Sequence, residues 1–325
     1  MKINDHVYGE QIIDNEVINK LIKAKEMQRL KGIHQHGTWH IMNPRIDTSR
    51  FEHSLGVYFL LRKFNASFEE QIAGLIHDIS HFPFSHVIDY VFGERDSQEF
   101  AEKFHEKIIK NSSINAILKE NNINTEFILN KHNFKMLEND LPDICADRLD
   151  YLFRDSIIFK NLDHKIVENL LGSLVVNNEE FVINNEENAK KIARLYLEMS
   201  KAMWVNPLQS ASYQILADAI KIAFDKGFIK EEDFHSTDIE VFKKLKNSKD
   251  KKIIEMINTL KNLKVKETSK NDYDFHTAGK ARCIDPKFLD GNKIKRVSDV
   301  DKKFKNNIEE FKKWVKKGFY IKIIR

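Results

Sequence analysis

The sequence predicts a mainly α-helical protein with a small β-hairpin and a small α/β appendage at its C-terminal end. Three observations predict it. Apolar residues recur with helical periodicity from residue 16 to about residue 245. Ser-x-x-Glu signatures open two of the apolar runs. Glycine (11) and proline (5) are scarce, whereas sandwiches and barrels need frequent turn residues.

Each element has a local reason. Ser49-Arg50-Phe51-Glu52 reads as a capping box before an apolar run that ends near Leu61. Ser67-Phe68-Glu69-Glu70 repeats the signature, and Ile72, Leu75, Ile76 and Ile79 then mark one helical face. A third helix is expected after Leu141-Pro142-Asp143, with the proline near its first turn. Residues 174–176 and 181–183 are apolar and flank Asn177-Asn178-Glu179-Glu180, the pattern of a β-hairpin. A long helical stretch follows from about residue 187 to 226, with Asn206-Pro207 expected to kink it. Beyond 245, Lys-rich helical pieces mix with strand-like residues 281–284 and 319–324. The expected division is a helical domain over 1–245, its core at about 45–160, and a basic α/β appendage over 246–325.

Composition excludes several classes. Hydrophobic residues at 42% are too many for a disordered chain, and a net charge of +4 argues against a polyelectrolyte. Two cysteines, Cys145 and Cys283, cannot build a disulfide framework. No apolar run approaches membrane-spanning length, and the opening residues have no signal-peptide core. A soluble cytoplasmic protein with no membrane contact is expected. Charge is uneven, however. Residues 221–325 carry 28 Lys/Arg and 17 Asp/Glu, against 25 and 32 in residues 1–220. The plain reading is solvated helix faces; the sharper one is a surface for polyanions, including nucleic acid.

The chemistry concentrates in residues 77–86, His-Asp-Ile-Ser-His-Phe-Pro-Phe-Ser-His. Three imidazoles and a carboxylate at the end of an apolar helix are costly unless something pairs with them, and a metal ion does. His77 and Asp78 point about 100° apart on a helix, so they cannot close a site alone. His53 on the first capped helix and Asp147 on the third complete a set of two imidazoles and two carboxylates. That set suits one divalent ion among Mn²⁺, Fe²⁺, Ni²⁺, Zn²⁺ and, less well, Mg²⁺.

These residues resemble the H…HD…D signature of the HD-domain metal phosphohydrolases. Further stretches narrow the resemblance: Asn4-Asp5-His6-Val7-Tyr8-Gly9, Gln28-Arg29-Leu30-Lys31-Gly32-Ile33-His34-Gln35-His36-Gly37, Arg50-Phe51-Glu52-His53-Ser54-Leu55-Gly56, and His81-Phe82-Pro83-Phe84-Ser85-His86. In matching order they look like the deoxynucleoside triphosphate triphosphohydrolases, the bacterial dGTPases and the vertebrate SAM- and HD-domain enzyme. The resemblance is dense over residues 3–155 and thins towards 225. It implies an HD-domain helical fold, a homo-oligomer, and hydrolysis of a dNTP to a deoxynucleoside and triphosphate.

The resemblance also implies roles. His86 would give the leaving oxygen its proton, with Asp89, three residues on, orienting the ring. His81 would sit near the phosphates, and His105 beside Glu106 would support catalysis. Arg50 and Arg148 would grip phosphate oxygens. Gln35, Tyr151 and Asp155 would recognise the sugar, Asp155 by accepting from its 3′-hydroxyl. Some positions depart from the pattern. His36 replaces a usual Leu, Ser80 and Phe82 replace small glycines, with Phe82 expected to narrow the pocket, and Trp204-Val205-Asn206-Pro207 replaces a Tyr-x-His. Two rivals share the fold: a phosphatase or phosphodiesterase for another nucleotide, and a non-catalytic nucleotide- or nucleic-acid-binding regulatory module.

Overall fold

In the computed structural model, which describes residues 1–93, 100–277 and 281–324, helices dominate and small sheets lie at the margins. Helix Arg50–Lys63 opens on a complete capping box. Ser49 Oγ accepts from Glu52 N at 3.2 Å, and Glu52 Oε2 accepts from Ser49 N at 2.8 Å. Helix Phe68–Ile76 has only half of one. Ser67 Oγ caps Glu70 N, but the Glu70 carboxylate accepts from Leu137 N at 2.9 Å, a donor in a distant turn.

The third helix starts after Leu141-Pro142-Asp143, as expected. Pro142 lies in the preceding turn, Cys145 is the N-cap, and the helix is Ala146–Lys160. Its first donors are met by an earlier turn at residues 135–137: Ala146 N donates to Met136 O at 2.7 Å and Asp147 N to Leu137 O at 3.3 Å. The long stretch breaks where a proline requires it. Helix Glu186–Met199 passes through a π-helical turn, Ser200–Trp204, and Pro207 opens helix Pro207–Asp225.

The expected hairpin is Leu174–Asn177 paired with Glu180–Ile183. It is half of a four-stranded sheet, because Glu180–Ile183 also pairs in parallel with Lys287–Asp290, which pairs with Lys293–Arg296. The boundary expected near residue 245 falls inside helix Asp238–Asn247. Residues 281–284 are not a strand: they run irregularly, tethered by Ser200 Oγ on Arg282 O. An apolar run of that length fits a strand locally but needs a neighbour to pair with. Strand Phe319–Ile323 is observed, central between Val265–Glu267 and Phe275–Thr277.

One apolar cluster runs from Val7 to Ile321 and joins both parts. Helix Lys302–Lys317 contributes Phe304, Ile308, Phe311 and Val315 to it and turns its lysines to solvent. Both cysteines are buried free thiols. Among the described residues, no helix is long and apolar enough to cross a membrane.

Candidate metal centre and active site

Three helical segments converge on one point. His53, one turn into helix Arg50–Lys63 and fully buried, places Nε2 2.9 Å from Asp147 Oδ1 and 3.8 Å from Asp78 Oδ2. His77, which caps the end of helix Phe68–Ile76, places Nε2 3.5 Å from Asp78 Oδ1 and 3.7 Å from Asp147 Oδ1. His77 Nδ1 donates to Gly74 O at 2.7 Å, so in the neutral ring Nε2 carries the lone pair. That Nε2 is buried without a hydrogen-bond partner. A lone pair facing two carboxylates is costly, and a cation between them removes the cost. The donor atoms of His53, His77 and Asp147 therefore fit a divalent ion, with Asp78, 3.5 Å from His77 Nε2, as the candidate fourth ligand.

The charges agree. Burial alone would lower the His53 pKa, but bonds to Asp147 and Asp150 push it up to about 10. Burial would raise Asp78, yet Arg50 and the histidines hold it well below the carboxylate range. His53 and His77 do the same for Asp147. The carboxylates are thus ionised and call for positive charge.

Behind His53 lies a shell that sequence reasoning missed. Its Nδ1 donates to Asp150 Oδ2 at 2.7 Å. Arg154 brackets Asp150 with Nε at 3.1 Å and Nη2 at 2.9 Å, and reaches Asp5 Oδ2 at 3.1 Å. Asp5 belongs to the N-terminal hairpin and also accepts from Val7 N and Tyr8 N. This chain fixes the ring and tautomer of His53, leaving Nε2 to face the centre. The network crosses helix Arg50–Lys63 over Gly56, where a Cβ would overlap Asp150 and Arg154. The signal was present: Asp147, Asp150 and Arg154 share one helical face.

A cavity of about 550 Å³ opens over the centre, and Gln35, Arg50, His81, His86, His105, Arg148 and Tyr151 all line it. His86 Nδ1 lies 3.0 Å from Asp89 Oδ2, whose other oxygen accepts from Phe100 N at 3.0 Å. Phe84 and Ser85, just before His86, adopt φ of 61° and 52°. Such left-handed residues cost about 1–2 kcal/mol each. Asp238 holds them: its Oδ1 accepts from Phe84 N at 2.6 Å and its Oδ2 from His34 N at 2.9 Å. Ser85 Oγ donates to His34 O and accepts from Arg50 Nε. Gly37 passes within touching distance of Phe84 O at φ 53°, a position closed to larger residues.

Residues 50–155 match the HD domain family model. A metal-dependent phosphohydrolase of Cordyceps militaris, cns2, is 30% identical over 70% of this chain and 68% of its own length. The chain is an HD-domain metal-dependent phosphohydrolase. It is also 36% identical over 100% of both chains to the uncharacterised protein YdhJ of Bacillus subtilis. A SAMHD1 homologue of Dictyostelium discoideum, named a deoxynucleoside triphosphate triphosphohydrolase, is 27% identical over 47% of this chain and 35% of its own. The fold is shared with a crystallised phosphohydrolase of Bacteroides thetaiotaomicron, with a TM-score of 0.72 at 19% identity over 99% of each chain.

Most of the expected residues of this HD phosphohydrolase meet at the cavity, but their partners differ. Arg50 Nη1 donates to Asp78 Oδ2 at 2.9 Å and backs the centre. Arg148 Nη1 donates to the carbonyls of Asn139 and Asp143, which pin it to the wall. His81 Nε2 lies 3.2 Å from Asp78 Oδ1, and His105 Nδ1 3.2 Å from Ser80 Oγ. Burial pushes these imidazoles down to about 3 and about 4, so both are neutral. Glu106 sits at the rim, paired with Lys110 at 2.6 Å.

Asp155 is not at the cavity surface. Its Oδ1 lies 2.7 Å from His36 Nε2, and Trp204 Nε1 donates to its Oδ2 at 2.7 Å. His36 and Trp204 line the cavity in its place. Phe82 does not narrow the cavity either: it packs away from it against Phe100, Phe104 and Phe234. Tyr151 reaches the cavity with its hydroxyl bonded to that of Tyr196.

Proposed function

We propose that this HD phosphohydrolase hydrolyses a nucleotide phosphoester, with a dNTP as substrate and deoxynucleoside and triphosphate as products. The observation that carries it is one cavity lined by His77, Asp78, Asp147 and His86, with His53 buried against Asp147 and Asp89 3.0 Å from His86 Nδ1. A divalent ion bound there supplies Lewis acidity towards a phosphoryl oxygen and activates water. The protein's own groups do the rest. Asp89 holds the Nδ1 proton of His86, which aims Nε2 at the cavity. Burial lowers the His86 pKa against the raising effect of Asp89. An anionic phosphate entering the cavity raises it again, and the charged ring then delivers its proton to the leaving 5′-oxygen. Arg50 and Arg148 add fixed positive charge beside the phosphates. Tyr151 and Gln35 line the nucleoside end.

One observation favours a second reading. Both Asp155 oxygens are engaged by His36 and Trp204, so no acceptor there awaits a 3′-hydroxyl. A nucleotide recognised without that contact, hydrolysed as a phosphomonoester or diester, fits the same centre. Product analysis separates the two. With Mn²⁺-loaded protein and each dNTP, NTP and nucleoside monophosphate, the first reading expects deoxynucleoside plus triphosphate, abolished in H77A and D78A. Turnover confined to monophosphates or diesters replaces it with the second. No turnover of any of them sinks both and leaves a binding module. A homo-oligomer, expected by resemblance, is read from sedimentation of the same preparation.

A further inference from the structure

The turn that presents His86 is held from outside the cavity. Phe84 and Ser85 are both left-handed, a backbone that a bulky residue such as phenylalanine takes only where its surroundings impose it. Those surroundings come from helix Asp238–Asn247. Asp238, at 2% exposure in the first turn, accepts from Phe84 N at 2.6 Å through Oδ1. Its Oδ2 accepts from His34 N at 2.9 Å and lies 2.8 Å from His34 Nδ1. Phe242, one turn along the same helix face, sets its ring edge-on to that of Phe84, with centroids 6.3 Å apart. The His40 ring lies parallel to Phe84 at 6.2 Å and to His34 at 3.6 Å. One helix thus grips Phe84 by backbone and by ring.

The segment leading into that helix braces the start of the same loop. Arg29 Nη1 donates to Ser236 O at 3.2 Å, and Nη2 donates to Ile79 O at 2.7 Å and His81 O at 2.8 Å. Residues 79–84 are therefore tied at both ends to residues 236–238. The helix does not need Asp238 for its own start, which Glu240 closes by accepting from Thr237 N at 2.9 Å. What the turn delivers lies on the cavity side. Ser85 Oγ accepts from Arg50 Nε at 3.0 Å, and His86 lines the cavity with Nδ1 3.0 Å from Asp89. A right-handed Phe84–Ser85 would send the chain elsewhere and take both contacts with it. Asp238, Phe242 and Arg29 do not line the cavity, so they act on a substrate only through the loop they hold.

We propose that Asp238 is a positioning residue for proton transfer: it holds the Phe84–Ser85 turn so that His86 keeps its bond to Asp89 and its Nε2 towards the cavity. This rests on the reading of His86 as the proton donor.

The test reads the His86 ring directly. Nitrogen NMR of the metal-free full chain, with the His86 signals assigned by their absence in H86A, should show the Nδ1–H tautomer in the parent. D238A should mix the two tautomers. D238N, which keeps one oxygen for the Phe84 amide, should fall between and covers the case in which D238A folds poorly. A His86 ring unchanged in the folded variants overturns the proposal. Turnover supplies the second arm. With Mn²⁺, D238A should lower kcat on a nucleotide about 100-fold, the scale of an ångström-sized misplacement, and leave KM within about twofold. The loss should shrink below about tenfold on a p-nitrophenyl phosphoester, whose leaving group departs without a proton. Equal loss on both leaving groups marks a merely structural role and also overturns the proposal. The two readings fail separately. A shifted tautomer without turnover of any nucleotide or ester keeps the hold of Asp238 on His86 and removes the dNTP reading. Turnover of dNTPs with an unshifted tautomer does the reverse.

Discussion

Removing the Asp150 carboxylate should damage both stability and the metal centre. Asp150 is fully buried and accepts from His53 Nδ1 and two Arg154 nitrogens. D150A strands the buried Arg154 charge on Asp5 alone and frees the His53 ring. Breaking a buried ion pair from one side costs about 3–5 kcal/mol, out of a total of about 5–15 kcal/mol for a domain. Loss of an outer partner of a metal-binding histidine costs about 10–100-fold in metal affinity. Urea unfolding of the metal-free protein and competitive Mn²⁺ titration read the two effects. Burial alone would raise the Asp150 pKa, but Arg154 and His53 hold it low. Its contribution is therefore complete at neutral pH and lost as the pH falls through that lowered value. D150N should flatten the acid end of the stability curve accordingly. D150N/R154M should recover part of the D150A loss, because no buried guanidinium is stranded and Asp5, although it loses Arg154, keeps its two backbone donors. Stability within about 0.5 kcal/mol of the parent in D150A, the range of inert surface changes, with unchanged metal affinity, would refute the reasoning.

Three further outcomes are expected. D89N removes a group that raises the His86 pKa, so the fall of kcat with rising pH should move to lower pH; an unmoved limb in the pH–rate profile removes His86 as proton donor. G56A drives a methyl group into Asp150 and Arg154 and should cost about 1–3 kcal/mol in denaturant unfolding; a neutral effect would contradict the tight crossing at that point. In the metal-free chain Asp147 and Asp150 hold His53 at about 10 against the lowering effect of burial, so Mn²⁺ binding at pH 7 must release its proton and should tighten with rising pH; calorimetry in buffers of different ionisation enthalpy checks it.

The candidate ligands were legible because each signal is local. His53 lies in a run opened by a capping box, and His77-Asp78 ends an apolar helical face, so their elements could be placed from neighbours alone. The mainly helical class followed from the same periodicity. What could not be read is what only tertiary packing brings together. Asp238 is 204 residues from His34 and 154 from Phe84, yet it holds both. Arg282 lies in a short apolar run that mimics a strand, and only its tethers at Ser200 and Asp285 show otherwise. Asp155 shows the opposite limit. Its spacing from Asp147 and Tyr151 is helical as expected, but the side chains that cover it come from residues 36 and 204.

A second group of potential ligands, His34, His40 and Asp238, offers a sharp contrast for the central claim. There Asp238 is spent on backbone and His34 donors, and His40 Nδ1 is bonded to Gly37 O. The most direct measurement is an anomalous difference map from a Mn²⁺-soaked crystal. The account predicts one strong peak between His53 Nε2, His77 Nε2, Asp78 and Asp147, absent in H77A. A peak at His34 and His40 instead, or no peak at the His53–His77 centre at saturating Mn²⁺, would contradict it.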